Sequence, residues 1–93
     1  MRIEEIKRRV APVLSHFQIQ KAALFGSVAR GEDRADSDVD VLIEMPRPYG
    51  ILRFLEVKNE LEDALARKVD LVEYAMLKEG IRDRALHDAI EII

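Results

Sequence analysis

The sequence predicts an α/β (α+β) fold, a small mixed β-sheet flanked by helices, in one domain spanning residues 1–93. Three observations point there. Residues 21–25, 38–44 and 69–74 are short apolar or alternating runs that read as strands. Residues 3–17, 51–68 and 81–93 carry apolar side chains at helical spacing and separate those strands. A chain of 93 residues also suits one modest core. The resulting order is helix, strand, turn, strand, helix, strand, helix, which favours a sheet covered by helices.

The first helix rests on Ile3, Ile6, Val10, Val13, Leu14 and Phe17, with Pro12 expected to kink it or to begin a second short helix. The first strand ends in Ala-Ala-Leu-Phe and is broken by Gly26. Residues 26–37 are small and polar, a loop with one helical turn expected at 27–30. The second strand, 38–44, alternates in its first half, and Pro46, Pro48 and Gly50 make 45–50 a loop. Along 51–68, Ile51, Phe54, Leu55, Leu61, Ala64 and Leu65 form the expected buried face, with Glu60, Glu62 and Asp63 on the solvated one. A third strand follows, then a connection over 75–80, then a last amphipathic helix to residue 93. The closing aliphatic residues Ile90, Ile92 and Ile93 are expected to pack on the sheet or to meet a partner, which leaves room for an oligomer.

Composition narrows the function. Hydrophobic residues make up 48% and charged residues 35%, as in soluble globular proteins. The net charge of -3 argues against a long nucleic acid as a direct partner, because gripping a phosphate backbone calls for a basic surplus. The absence of cysteine excludes disulfides and thiolate metal sites and fits a cytoplasmic location. No apolar run approaches the ~18 residues needed to span a membrane, and the N-terminus does not read as a signal peptide.

The chemistry concentrates in a few residues. Asp38 and Asp40 fall at i and i+2 of a predicted strand, on one face and about 7 Å apart, while Val39, Val41 and Ile43 turn to the core. Two ionised carboxylates at that spacing repel, and a divalent cation removes the repulsion. Oxygen donors favour Mg2+ or Mn2+. Alone, Asp-x-Asp equally describes two solvated aspartates. Asp70, between Val69 and Leu71, joins the cluster if its strand pairs beside 38–44 in a suitable register. Three carboxylates hold two ions, which align an attacking oxygen with a leaving pyrophosphate. Glu73 faces away from Asp70 and is the weaker candidate. Gly26-Ser27 follows an apolar strand and opens a helical turn, where glycine permits close backbone approach and exposed N–H groups attract phosphate. Arg30, one turn on, meets a phosphate or pairs with Glu32, Asp33 or Asp36.

The segment Leu24-Phe25-Gly26-Ser27-Val28-Ala29-Arg30-Gly31, continued by Ser37-Asp38-Val39-Asp40-Val41-Leu42-Ile43, resembles the signature of the polymerase β-like nucleotidyltransferase superfamily. The short chain resembles its minimal nucleotidyltransferase, or MNT, branch. The resemblance implies a nucleotidyltransferase fold in which Gly26 and Ser27 hold a triphosphate. Asp38 and Asp40 would bind two Mg2+ ions, with Mn2+ as an alternative. Asp70 would complete the metal site and help to deprotonate the acceptor, and Arg30 would assist at phosphate. It further implies transfer of AMP from ATP to a tyrosine of a HEPN-domain ribonuclease toxin, with the MNT chain as antitoxin. Members of this family often carry a glutamate in the last helix where this chain has His87 and Asp88. Two other readings remain: a non-catalytic module that neutralises a HEPN partner by contact, and a nucleotidyltransferase acting on a small molecule. His16 and His87 have no ligand-like spacing, and the methionines, Tyr49 and Tyr74 are expected to pack.

Overall fold

The computed structural model describes residues 2–77 and 79–93; Lys78, within the expected 75–80 connection, and Met1 lie outside them. Helix α1 (Ile3–His16) leads into β1 (Ala22–Phe25), the short α2 (Gly26–Arg30) and β2 (Val39–Ile43). Helix α3 (Ile51–Leu65) crosses to β3 (Val69–Glu73). A 3-10 turn at Tyr74–Met76 precedes α4 (Glu79–Asp88) and the two-residue β4 (Ile90–Glu91). The sheet order is β3-β2-β1-β4, with β2 and β3 parallel and both β1 pairings antiparallel. The expected mixed sheet is therefore present.

Alternation along the strands divides the sheet into two faces. Ala22 and Leu24 of β1, Val39, Val41 and Ile43 of β2, and Val69 and Leu71 of β3 join Ile6, Val10 and Leu14 of α1 and Val57, Leu61 and Leu65 of α3 in the main core. Burial of each such aliphatic side chain contributes about 1.5–3 kcal/mol. On the other face Ala23, Leu42 and Tyr74 make a smaller cluster edged by Phe25, Val72 and Ala89. Asp40 and Asp70 belong to that second face by the same alternation.

Four expectations need correction. Pro12 lies inside an uninterrupted α1, at an exposed position. The buried stripe of α3 runs through Val57, Leu61 and Leu65, whereas Ile51 and Leu55 face outward at 67% and 41% exposure. The helix stops at Leu65 because Ala66 takes a left-handed conformation, φ 54°. The last helix ends at Asp88, not at residue 93, and Ile90 pairs with Leu24 as an edge strand. Its β-branched residues favour the strand. Ile92 donates its N–H to the Ala22 carbonyl at 3.0 Å and buries its side chain, so the tail packs on the sheet.

One acid departs from expectation, and a second, Glu73, faces away from Asp70 as expected. Glu62 is not merely solvated: its carboxylate accepts the Val69 N–H at 2.9 Å and anchors the entry to β3. Glu73 is fully buried and accepts from the backbone N–H groups of Met45 and Ala75 and from Arg47. It ties the exits of β2 and β3 together. Met45 packs in the core as expected, but Met76 is exposed.

Candidate active site

Register brings the predicted carboxylates together. In the parallel β2–β3 ladder Asp40 is the direct partner of Asp70, and in the antiparallel β1–β2 ladder it is the partner of Phe25. Asp40 is half-buried, while Asp70 stands exposed on the edge strand β3. Asp38 lies one residue before β2 and is exposed. Burial raises the Asp40 carboxyl to about 6, helped by the charges of Asp70 and Asp38 and by a side-chain hydrogen bond with Asp70, while Arg30 pulls the other way.

The turn after β1 is built around Asp40. Gly26 has φ +69°, and a Cβ there would collide with the Asp40 carboxylate. The missing side chain therefore makes room for a carboxylate of the cluster, where sequence reasoning had assigned the close approach to a ligand. Ser27 follows as the second residue of α2. Gly31 closes that helix at φ 73°, with the N–H groups of Gly31 and Glu32 returning to the carbonyls of Val28 and Ser27. The result is a short closed turn that carries Gly26 against Asp40, with Ser27 next in the chain.

Arg30 sits at the rim. Its Nε donates to Glu32 at 3.0 Å and its Nη1 to Asp88 at 3.5 Å, so it bridges α2 to α4. The Glu32 hydrogen bond and the charges of Glu32 and Asp88 hold its guanidinium above the ordinary range. Of the acids expected to pair with it, Glu32 takes the role, while Asp33 meets Arg67 at 3.1 Å. Beside Gly26 and Arg30 opens a cavity of about 700 Å3, also lined by Phe25, Arg84, His87 and Asp88. His87 therefore borders the site, although its spacing gave no sign of it. A larger cavity, about 860 Å3, lies among Leu14, Gln18, Lys21, Met45 and Ile92; neither cavity is lined by Asp38, Asp40 or Asp70, and only the smaller one borders Gly26.

The donor set suits a hard divalent cation. It consists of carboxylate oxygens, one of them raised to about 6 by burial and by its acidic neighbours, a cost that a cation would relieve. Among the described residues, no three acidic, histidine or cysteine side chains converge closely enough to hold an ion as they stand. The Asp40–Asp70 pair is adjacent by register, and Asp38, exposed just before β2, is near enough for its charge to act on Asp40.

Sequence reasoning missed Arg67, which was taken as part of the long helix. It carried no local signal, because its partners lie about thirty residues away, near Asp38.

Residues 8–93 match the family described as polymerase beta, nucleotidyltransferase. A protein of Methanocaldococcus jannaschii, provisionally named a protein adenylyltransferase, is 36% identical over 93 residues, the whole of both chains. A solved structure provisionally described as a minimal nucleotidyltransferase is 35% identical and superposes with a TM-score of 0.82, over 97% of this chain and 95% of the other. The MNT antitoxin structure in which a Shewanella oneidensis HEPN toxin is tri-AMPylated shares the fold, with a TM-score of 0.75 at 17% identity over 98% of this chain and 71% of the other. An in-register carboxylate pair set against a glycine turn, on a sheet of this topology, accords with these likenesses, and the chain belongs to the polymerase β nucleotidyltransferase family, among its minimal members.

Proposed function

We propose that this chain transfers AMP from ATP to a tyrosine hydroxyl of a HEPN-domain ribonuclease and so acts as its antitoxin in the cytoplasm. The observation that carries this reading is the Asp40–Asp70 pair, aligned across β2 and β3 and packed against Gly26. The adenylyltransferase name of the Methanocaldococcus jannaschii relative and the AMPylated HEPN toxin of the MNT complex support this choice of transferred group and acceptor.

In this reading Asp38, Asp40 and Asp70 would hold two Mg2+ ions, for which Mn2+ could substitute. Bound there, the ions neutralise charge on the triphosphate and lower the barrier to in-line displacement. Ser27 and the backbone at Gly26 orient the phosphates, with Arg30 at the rim. The acceptor oxygen attacks the α-phosphorus of ATP, the bond to the bridging oxygen breaks, and pyrophosphate leaves. Asp70 takes the acceptor proton. It suits that role because it stands exposed on the edge strand, where a protein-borne hydroxyl can reach it. The cavity lined by Phe25, Arg84 and His87 gives the nucleoside room beside the phosphates.

The test incubates the protein with Mg2+, labelled ATP and the HEPN partner, alongside Asp38→Asn/Asp40→Asn. Label on the partner with the unaltered chain alone supports adenylyl transfer. Inhibition of the partner without label, by both forms, would replace it with neutralisation by contact.

A further inference from the structure

Asp38 lies outside the β2 ladder, so the sheet alone does not fix it. Its two flanking peptide groups are nevertheless both held by the segment that leads into β3. The carbonyl before it, on Ser37, accepts from Arg67 Nη2 at 2.6 Å and from Nε at 3.2 Å. The N–H after it, on Val39, donates to the Lys68 carbonyl at 2.9 Å. Arg67 also reaches the Arg34 carbonyl at 2.9 Å and the Asp33 carboxylate at 3.1 Å. The loop it grips is a closed turn, since Ser37 Oγ accepts the Arg34 N–H at 2.9 Å and the Ser37 N–H donates to Arg34 at 3.0 Å.

Three nitrogens of one guanidinium thus bind three acceptors, in a pairing whose side chains are only 11% and 12% exposed. This planar fork is a geometry that lysine cannot reproduce. Three residues later, within β3, stands Asp70, opposite Asp40. One short stretch, 67–70, therefore grips the turn before Asp38, pins the peptide after it, and carries Asp70.

We propose that Arg67 is a positioning residue that sets Asp38 relative to Asp40 and Asp70, acting on cation and nucleotide binding through the Ser37 carbonyl. The proposal rests on reading the three aspartates as the cation site. Partners that orient metal ligands typically change affinity 10- to 100-fold when lost.

The test uses the full chain with Arg67→Lys and Asp33→Asn, each examined by urea unfolding, by amide exchange at Val39, and by Mn2+ binding with a non-hydrolysable ATP analogue. Arg67→Lys keeps the charge beside Asp33 but cannot span both carbonyls. The expected result is Mn2+–nucleotide affinity reduced about tenfold and faster exchange at Val39, with an unfolding midpoint close to that of the unaltered protein. Asp33→Asn, which leaves the carbonyl contacts in place, is expected to retain affinity. In an Asp38→Asn background Arg67→Lys should cause no further loss of affinity. Unaltered affinity in Arg67→Lys overturns the proposal. So does affinity that tracks the unfolding midpoint across both variants, which would mark a purely structural role. Absence of saturable Mn2+ binding sensitive to Asp38→Asn/Asp40→Asn in the parent chain would instead remove the cation-site reading beneath it.

Discussion

Replacing Asp40 by asparagine should stabilise the cation-free protein at neutral pH. Burial, Asp70 and Asp38 raise the Asp40 carboxyl from 3.8 to about 6. The folded state therefore holds a proton more tightly than the unfolded chain does. Stability from this proton is fully present below pH 4 and is lost as the pH rises through 6. Taken at full value the shift corresponds to about 3 kcal/mol. Asp40 is only half-buried, and solvent screening reduces the expected effect to about 1–2 kcal/mol. Asparagine carries no charge at any pH, and its amide can donate to Asp70 where the carboxyl proton did. Urea unfolding in EDTA should thus find Asp40→Asn more stable than its parent by about 1–2 kcal/mol at pH 7.5, with the difference closing by pH 4.

Mg2+ should act in the opposite direction on the same pair of proteins. On the proposed reading it would stabilise the parent chain by binding the folded state, and would have little to bind in Asp40→Asn. Its apparent affinity for the parent should weaken as pH falls below 6, because protons and cation compete for the same oxygens. An Asp40→Asn variant no more stable than its parent at pH 7.5 in EDTA would refute the electrostatic reasoning. So would a stability gap of the same size at pH 4.

Two further outcomes follow from single contacts. Gly26→Ala adds a methyl where the Asp40 carboxylate sits and forces a left-handed backbone on alanine; it should cost about 1–3 kcal/mol in urea unfolding and lower adenylyl transfer by about 100-fold or more. Glu73→Ala leaves the N–H groups of Met45 and Ala75 without their side-chain acceptor; it should cost about 2–4 kcal/mol in the same unfolding assay while adenylyl transfer, measured where the variant is folded, changes by no more than about twofold.

The parts of the fold that were legible in the sequence are those whose signal is local. The alternation in 38–44 placed Val39, Val41 and Ile43 in the core and turned Asp40 away from it, as the structure shows. The Gly26 break and the following helical turn were equally visible. What the sequence could not supply was register, and only register puts Asp70 opposite Asp40 rather than one residue off, on the other face. The end of the chain misled for a related reason. Helical spacing continues weakly through residue 93, but the decisive influence was the open edge of β1, which accepts Ile90 and Ile92 as a strand. On α3, spacing alone could not distinguish the buried Val57 from the exposed Ile51 and Leu55. Arg67 and Glu73 were invisible because isolated charged residues acquire partners only when distant segments meet.

The long-range partners of Arg67 and Glu73 clarify how a small sheet tolerates its carboxylate cluster. Asp38, Asp40 and Asp70 gather like charge at the start of β2 and β3, where folding gains nothing from them without a cation. Left to themselves they would drive the parallel strands apart at that end. Each end of this parallel pair has a charged clamp of the opposite logic. Near the carboxylates Arg67 closes on Ser37, Arg34 and Asp33, and Val39 bonds to Lys68. At the far end the buried Glu73 takes backbone N–H groups from both strand exits. The Arg67 and Lys68 contacts cross-link the end that carries the aspartates, while Glu73 secures the opposite end, away from them. A cation bound by these aspartates would offset the burial and like-charge cost that raises the Asp40 carboxyl.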